Sequence, residues 1–327
     1  MSLPLPLHRL AAQGVSSGPW PGGPGGAARR LAALQGQAFG QACWALGLRS
    51  GTTQAGVEAS VAAGDVVFTW LFRGTIFATT REDLRDLLGL CAARNLRAAA
   101  PRLAAWSLDG PALSAAARIV EGELSGGRAV ARNDLLRALE DRGIPALGGR
   151  GYRILWTLSQ QGLICFGPRA GKEQSLVLLD EWVPRAPERP REEVLAGLAE
   201  RYFATRGPAT IRDFAWWADL PVTEARAALA AAGDRLEVAR DGKVETAWTG
   251  LEPPSAAGRV ELLPGFDEIL LGYQDRSGVL PPEHADRVVP GGNGMFLAFV
   301  VDEAGIVTGT WKAAAVKRGV TITLAPF

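Results

Sequence analysis

Side chains able to carry chemistry are sparse in this chain, and their spacing narrows the reactions open to it. His8 and His284 are the sole histidines. A Ser-His-Asp triad, a Cys-His pair or a multi-histidine metal site would have to be built around one of them. Cys43, Cys91 and Cys165 are odd in number and lack CxxC spacing, which argues against a disulfide framework or a structural zinc site and fits a reducing cytoplasm. No metal and no cofactor is expected. Asp267, Glu268 and Asp275, interleaved with Tyr273 and Arg276, make paired acid and base work conceivable. A loop that uses Asp for turns and pairs it with Arg explains the same residues, and is the stronger reading. The run from Gly167 to Gln174 holds Arg169 and Lys172, but three residues separate its glycines and Glu173 follows the lysine. It is therefore no Walker A loop, and no NTPase is expected.

The remaining pattern is Leu34-Gln35-Gly36-Gln37. Neutral amides take no proton near pH 7 and cannot act as general bases, yet their oxygens can hold a water through hydrogen bonds. On an ideal helix, positions i and i+2 lie about 200° apart, so both glutamines reach one pocket only near a helix end or where Gly36 bends the chain. By residue type alone they read as surface glutamines.

The elements that must position these residues follow from periodicity. Residues 18–26 read as a loop, because Pro removes donors and Gly maximises chain entropy. Leu31, Leu34, Ala38, Ala42, Ala45 and Leu46 recur at helical spacing and predict a helix over 27–48, which carries both glutamines. A second helix over 53–63 and β-rich runs at 65–72 and 74–79 complete the outline of a winged helix-turn-helix. Thr80 is the expected N-cap of packed helices over 81–120. The outline repeats with helices over 133–142 and 151–161, strands at 163–166 and 175–179, and residues 167–174 as the wing. A third copy has helices over 191–205, around 214–217 and over 222–231, with strands at 235–239 and 243–248 joined at Asp241-Gly242. From Arg259 onward a small antiparallel sheet or barrel is expected.

The expected class is α+β: tandem winged helix-turn-helix units with a C-terminal antiparallel, β-rich, barrel-like region. The segments are a first winged helix with the glutamine motif (1–80), a helical scaffold (81–125), a second (126–187) and a third winged helix (188–250), and the β-rich region (251–327). Trp70, Trp106, Trp156, Trp216, Trp217 and Trp311 are assigned to cores by default.

A chain of 327 residues is long enough for more than one compact unit. Its net charge of +1 shows none of the overall basicity of many nucleic-acid binders, but charge runs +5 over 1–120, +1 over 121–190 and −5 over 191–327. Only four cations are Lys and 31 are Arg, whose planar fork suits phosphate. A GC-rich genome accounts for the larger share of that bias. The N-terminus lacks a secretory pattern and no run of 18 apolar residues occurs, so a cytoplasmic protein without membrane contact is expected. A monomer is the expected state.

Four stretches together resemble a known group: Arg30-Leu-Ala-Ala-Leu-Gln-Gly-Gln, Arg73-Gly-Thr-Ile, the run Leu262-Leu-Pro-Gly-Phe-Asp-Glu-Ile-Leu-Leu-Gly-Tyr-Gln-Asp-Arg, and Gly309-Thr-Trp-Lys. They are similar to the bacterial winged-helix DNA glycosylases related to AlkZ and YcaQ, over about residues 27 to 315. The resemblance implies tandem winged helices around a duplex-sized channel and a Gln-aliphatic-Gln motif that catalyses base excision. That motif falls on Gln35 and Gln37, with Gly36 in the aliphatic place, and the family's Arg-Gly-Thr-Leu-His reads with Ile76 and Phe77 here.

The implied substrate is duplex DNA bearing purines alkylated at N7 or N3. Such a base is already cationic and leaves without protonation, so a water held by Gln37, with Gln35 holding Gln37 or the sugar, suffices. The implied enzyme is a monofunctional glycosylase, and an open channel would also admit bulky adducts or interstrand crosslinks. Arg49, Arg73, Arg150, Arg153, Arg169 and Lys172 are phosphate-binding candidates by location and charge, and Asp267, Asp275 and Arg276 are candidates for supporting the active site. The alternative is a non-catalytic DNA-binding protein such as a transcriptional regulator, since tandem winged helices need only bind.

Overall fold

The computed structural model describes residues 4–171, 173–241, 244–248, 259–317 and 319–327. Lys172 of the expected wing and Gly242 of the expected hairpin turn lie outside the described residues. The fold mixes helices with antiparallel sheets and divides into two compact units, residues 55–194 and residues 1–54 together with 195–327.

In the unit 55–194, the helix Gln54–Ala62 leads into a hairpin of Val66–Trp70 and Ile76–Thr80, with Val66 opposite Thr80 and Trp70 opposite Ile76. Every residue of both strands is buried, as their β-branched and aromatic content predicts. Thr80 caps the helix Arg81–Ala105, its hydroxyl oxygen accepting the Asp83 N–H at 3.2 Å. After the helix Gly110–Leu124, the helices Arg132–Asp141 and Arg150–Gln160 precede a second hairpin, Ile164–Ala170 with Glu173–Leu178.

That hairpin corrects the expected eight-residue wing. Its strands run on through the stretch read as a loop, placing Arg169 opposite Gln174 and Ala170 opposite Glu173. The register shifts between Phe166 and Arg169, so Pro168, which has no N–H to give, sits where the ladder is already interrupted. Phe68 pairs with Phe166, and both hairpins therefore belong to one sheet.

Burial pushes the Cys165 thiol up to about 12. Cys43 and Cys91 are buried as well. Titration of the native protein with a disulfide reagent at mildly alkaline pH is expected to find no reactive thiol, and titration in denaturant to find three. A thiol that reacts in the native state would show that its surroundings open.

The other unit begins with the helix Leu5–Ala12 and then departs from expectation twice. Gly23–Leu31 is a helix, although its first residues read as loop. Pro24 lies in the first turn, where its missing N–H forfeits no bond, and Gly22 takes φ 88° ahead of it. Gly26 is needed here, since a Cβ would stand 2.3 Å from the Pro21 carbonyl oxygen. The helix also stops at Leu31 instead of running to 48. Ala32 takes φ 63°, Leu34–Gln35 is extended, and a separate helix spans Phe39–Ser50.

The same unit holds most of the helix Arg191–Arg206, then Ile211–Trp217 and Val222–Ala232, and the hairpin Glu237–Asp241 with Val244–Trp248. Thr210 and Asp213 start Ile211–Trp217 with a reciprocal capping box. Of the two forms expected for the tail, sheet or barrel, the described residues form a four-stranded antiparallel sheet in the order Glu261–Leu263, Phe299–Val301, Val307–Val316, Gly319–Pro326. Its core is Leu10, Val15, Leu263, Ile269, Phe299, Val301 and Val307 with their neighbours. Trp70, Trp217 and Trp311 are buried, whereas Trp106, Trp156 and Trp216 are half-buried. Among the described residues no helix is long and apolar enough to cross a membrane.

Candidate active site

The helix predicted through the glutamines breaks because buried side chains from later in the chain take the polar groups of this segment. Arg206 donates from Nη1 to the Leu31 carbonyl at 3.1 Å and from Nη2 to the Ala33 carbonyl at 3.0 Å. Glu268, at the start of the short helix Glu268–Leu271, accepts the Gln35 backbone N–H on Oε1 at 3.0 Å. Its Oε2 accepts Arg206 Nη2 at 2.7 Å, Arg206 Nε at 3.1 Å and Trp217 Nε1 at 2.9 Å. The Arg206 and Glu268 side chains are 0% and 1% exposed. With so little water nearby, these bonds replace the i to i−4 ladder that a continuous helix would use.

The geometry that would set the two amides about 200° apart on one helix is therefore absent. Gln35 is 9% exposed, and its Oε1 accepts the Gly36 N–H at 3.1 Å. Gln37, two residues on, is exposed. One amide is packed into the protein and the other meets solvent.

A second ion pair stands next to the first in sequence. Asp267 accepts Arg49 Nη2 on Oδ1 and Nη1 on Oδ2, each at 2.8 Å, and neither side chain has exposed surface. Arg49 also donates to the carbonyls of Gln13 and Ala45 and to Gln13 Oε1. Burial opposes the charge on this guanidinium, but the Asp267 carboxylate outweighs it and holds the pKa above its ordinary value. Gln13 donates from Nε2 to the Tyr273 hydroxyl at 3.1 Å, and that hydroxyl donates to the Arg206 carbonyl at 2.8 Å. Burial above all raises the Tyr273 pKa, which keeps the group a donor. Gly265 permits the turn into this cluster, because a Cβ there would stand 2.1 Å from the Phe296 carbonyl oxygen.

These contacts redistribute the expected roles. Arg49 was expected at a phosphate, but its donors are engaged inside the protein and it has no surface to offer one. Asp267 is taken up by its pair with Arg49. Asp275 accepts the Ser277 backbone N–H at 2.9 Å, and the Ser277 hydroxyl and amide hold its carboxyl below the usual range. Arg276 donates to the Leu270 carbonyl and lies over the rings of Trp216 and Phe296. Asp275 thus serves a turn, and the Asp–Arg pair of this region is Asp267 with Arg49.

The other candidates belong to the unit 55–194. Arg73 is half-buried in the tight turn after Trp70, at φ 56°. Arg150 donates to the carbonyls of Trp106, Pro145 and Ser107, and Arg153 lies 4.4 Å from the Trp106 ring centre. Arg169 pairs with Glu58 at 3.3 Å. Sequence reasoning missed Arg206, placed Trp217 in a core without its partner, and weighed Glu268 only as a member of a carboxylate cluster. Glu268 was at least visible as half of an Asp-Glu pair, but nothing in the sequence separates Arg206 from the other arginines.

A comparison with curated proteins finds no match. Among solved structures, Streptomyces sahachiroi DNA glycosylase AlkZ is similar, with a TM-score of 0.79 and 22% identity, covering 100% of this chain and 91% of that one. At that identity the likeness shows a shared fold. The family model described as DNA glycosylase AlkZ-like matches residues 28–327. With nearly the whole chain matched, glutamine segment and Asp-Glu turn included, this protein belongs to the AlkZ-like DNA glycosylase family.

Proposed function

We propose that this chain is a monofunctional DNA glycosylase that hydrolyses the N-glycosidic bond of purines alkylated at N7 or N3 in duplex DNA. The observation that carries the reading is the placement of Gln37. It is exposed just beyond a non-helical segment whose backbone is tied to a buried ion pair. Helix-and-hairpin outlines at residues 54–80, 132–178 and 211–248 support tandem winged helices as the DNA-holding framework.

Alkylation at N7 or N3 leaves the purine ring positively charged. The bond from the sugar C1′ to N9 breaks with its electron pair moving onto the base, which departs neutral and without a proton donor. The sugar develops oxocarbenium character. The Gln37 amide oxygen accepts one hydrogen of a water and directs its lone pair at C1′; the new C–O bond forms and the spare proton passes to solvent. Bulky adducts and interstrand crosslinks attached through guanine N7 carry the same ring charge, so the same chemistry extends to unhooking them. Arg73 and Arg153 serve as phosphate contacts.

Incubation with a duplex carrying one N7-methylguanine is expected to yield alkali-labile abasic sites, which strand cleavage on a denaturing gel reads directly. Duplex binding without base release would replace this reading by that of a non-catalytic regulator. Affinity is expected to fall linearly on a log–log plot against salt, and Arg73→Gln to make the slope shallower by about one unit.

A further inference from the structure

We propose that Glu268 is a positioning residue for base excision, a carboxylate that clamps the Gln35-Gly36-Gln37 segment against Arg206. The inference rests on the reading of Gln37 given above. Both Glu268 oxygens are occupied: Oε1 by the Gln35 N–H, Oε2 by two Arg206 nitrogens and the Trp217 indole. Surrounded by donors and 1% exposed, the group is neither placed to take a proton from water nor near enough to solvent to meet a substrate. It acts through the backbone.

Arg206 grips the same segment two and four residues earlier, at the Ala33 and Leu31 carbonyls. Among the bonds that hold residues 31–35, those at two carbonyls and one amide all end on a single buried ion pair. Ala32 lies between them at φ 63°, a conformation that an alanine adopts only when its surroundings impose it. Gln37 begins two residues past the last of these bonds. Its amide oxygen can hold a water at a fixed point only if the chain leading to it is fixed.

The clamp demands a carboxylate. Glutamine at position 268 has one acceptor and one donor end. If its oxygen faces Arg206 and Trp217, its NH2 faces the Gln35 N–H, donor against donor; if the amide is reversed, the conflict moves to Arg206. The charge-assisted side is the stronger, so the Gln35 bond is the one given up.

The test uses the full chain with Glu268→Gln, and Val307→Ala as a stability control in the buried core of the C-terminal sheet. Single-turnover excision of N7-methylguanine and duplex affinity are measured for both, together with hydrogen exchange at the Gln35 amide. Glu268→Gln is expected to lower the excision rate by about 10- to 100-fold, to leave duplex affinity within about twofold, and to remove protection of the Gln35 amide. Val307→Ala is expected to keep both the rate and that protection. Should Glu268→Gln not fold, Glu268→Asp, one methylene too short to span Gln35 and Arg206 together, takes its place with the same expected split between rate and affinity.

An excision rate that falls only as far as in Val307→Ala, or a Gln35 amide that stays protected while the rate falls, overturns the clamp and leaves the glutamine mechanism standing. A wild-type chain that binds the duplex but releases no base overturns the glutamine mechanism, and the clamp's catalytic purpose with it.

Discussion

Gln37→Ala is expected to abolish release of N7-methylguanine while leaving duplex affinity and thermal stability nearly unchanged. The side chain is exposed, and substitutions at such positions shift stability by no more than about 0.5 kcal/mol. Loss of the amide leaves the attacking water without an acceptor to orient it. A rate at least about 100-fold lower corresponds to about 2.7 kcal/mol of transition-state stabilisation, well within what positioning supplies. Gln37→Glu is the informative companion. It keeps an oxygen acceptor at the same reach and is expected to retain more activity than the alanine variant. Strand cleavage after alkali, under single-turnover conditions, measures both. An alanine variant of undiminished rate removes Gln37 from the mechanism.

The largest expected effect on stability is that of Asp267→Ala. It leaves the Arg49 guanidinium, which has no exposed surface, without its counter-charge. Breaking a buried pair by removing one partner costs about 3–5 kcal/mol, a large part of the roughly 5–15 kcal/mol that separates folded from unfolded states. A corresponding drop in the urea midpoint, with the slope of the transition unchanged, is the measurement. Replacing both partners, Arg49→Met with Asp267→Leu, is expected to recover much of the loss, because the uncompensated charge is then gone. A single variant that loses less than about 1 kcal/mol would show that water reaches Arg49.

The difference between these variants follows from where each residue sits, and that placement was only partly legible beforehand. Local signals were reliable wherever one segment settles its own structure. Thr80 and Asp83 form the cap that their types suggest, and the hairpin over residues 66–80 pairs in register. Propensity misled where a distant partner outbid it. The helix over 27–48 divides because Arg206 and Glu268, more than 160 residues along the chain, take the backbone groups of residues 31–35. Arg49 reads as a phosphate contact by location and charge, but Asp267 draws it inside. The merging of two hairpins into one sheet through Phe68 and Phe166 leaves no trace in either hairpin's own sequence.

What the amino-acid order determined by itself was the inventory: a chain with two histidines, which leaves triad and multi-histidine chemistry little to build on, a run of helix-and-hairpin outlines, and four stretches that resemble one glycosylase family. Periodicity, capping and turn chemistry act over a few residues, and those features are written locally. Only the tertiary structure decided that Gln35 is packed inside while Gln37 meets solvent, and that a buried carboxylate stands behind them. The reason is range. A buried charge must find its partner wherever the chain returns, and no local pattern records where that will be.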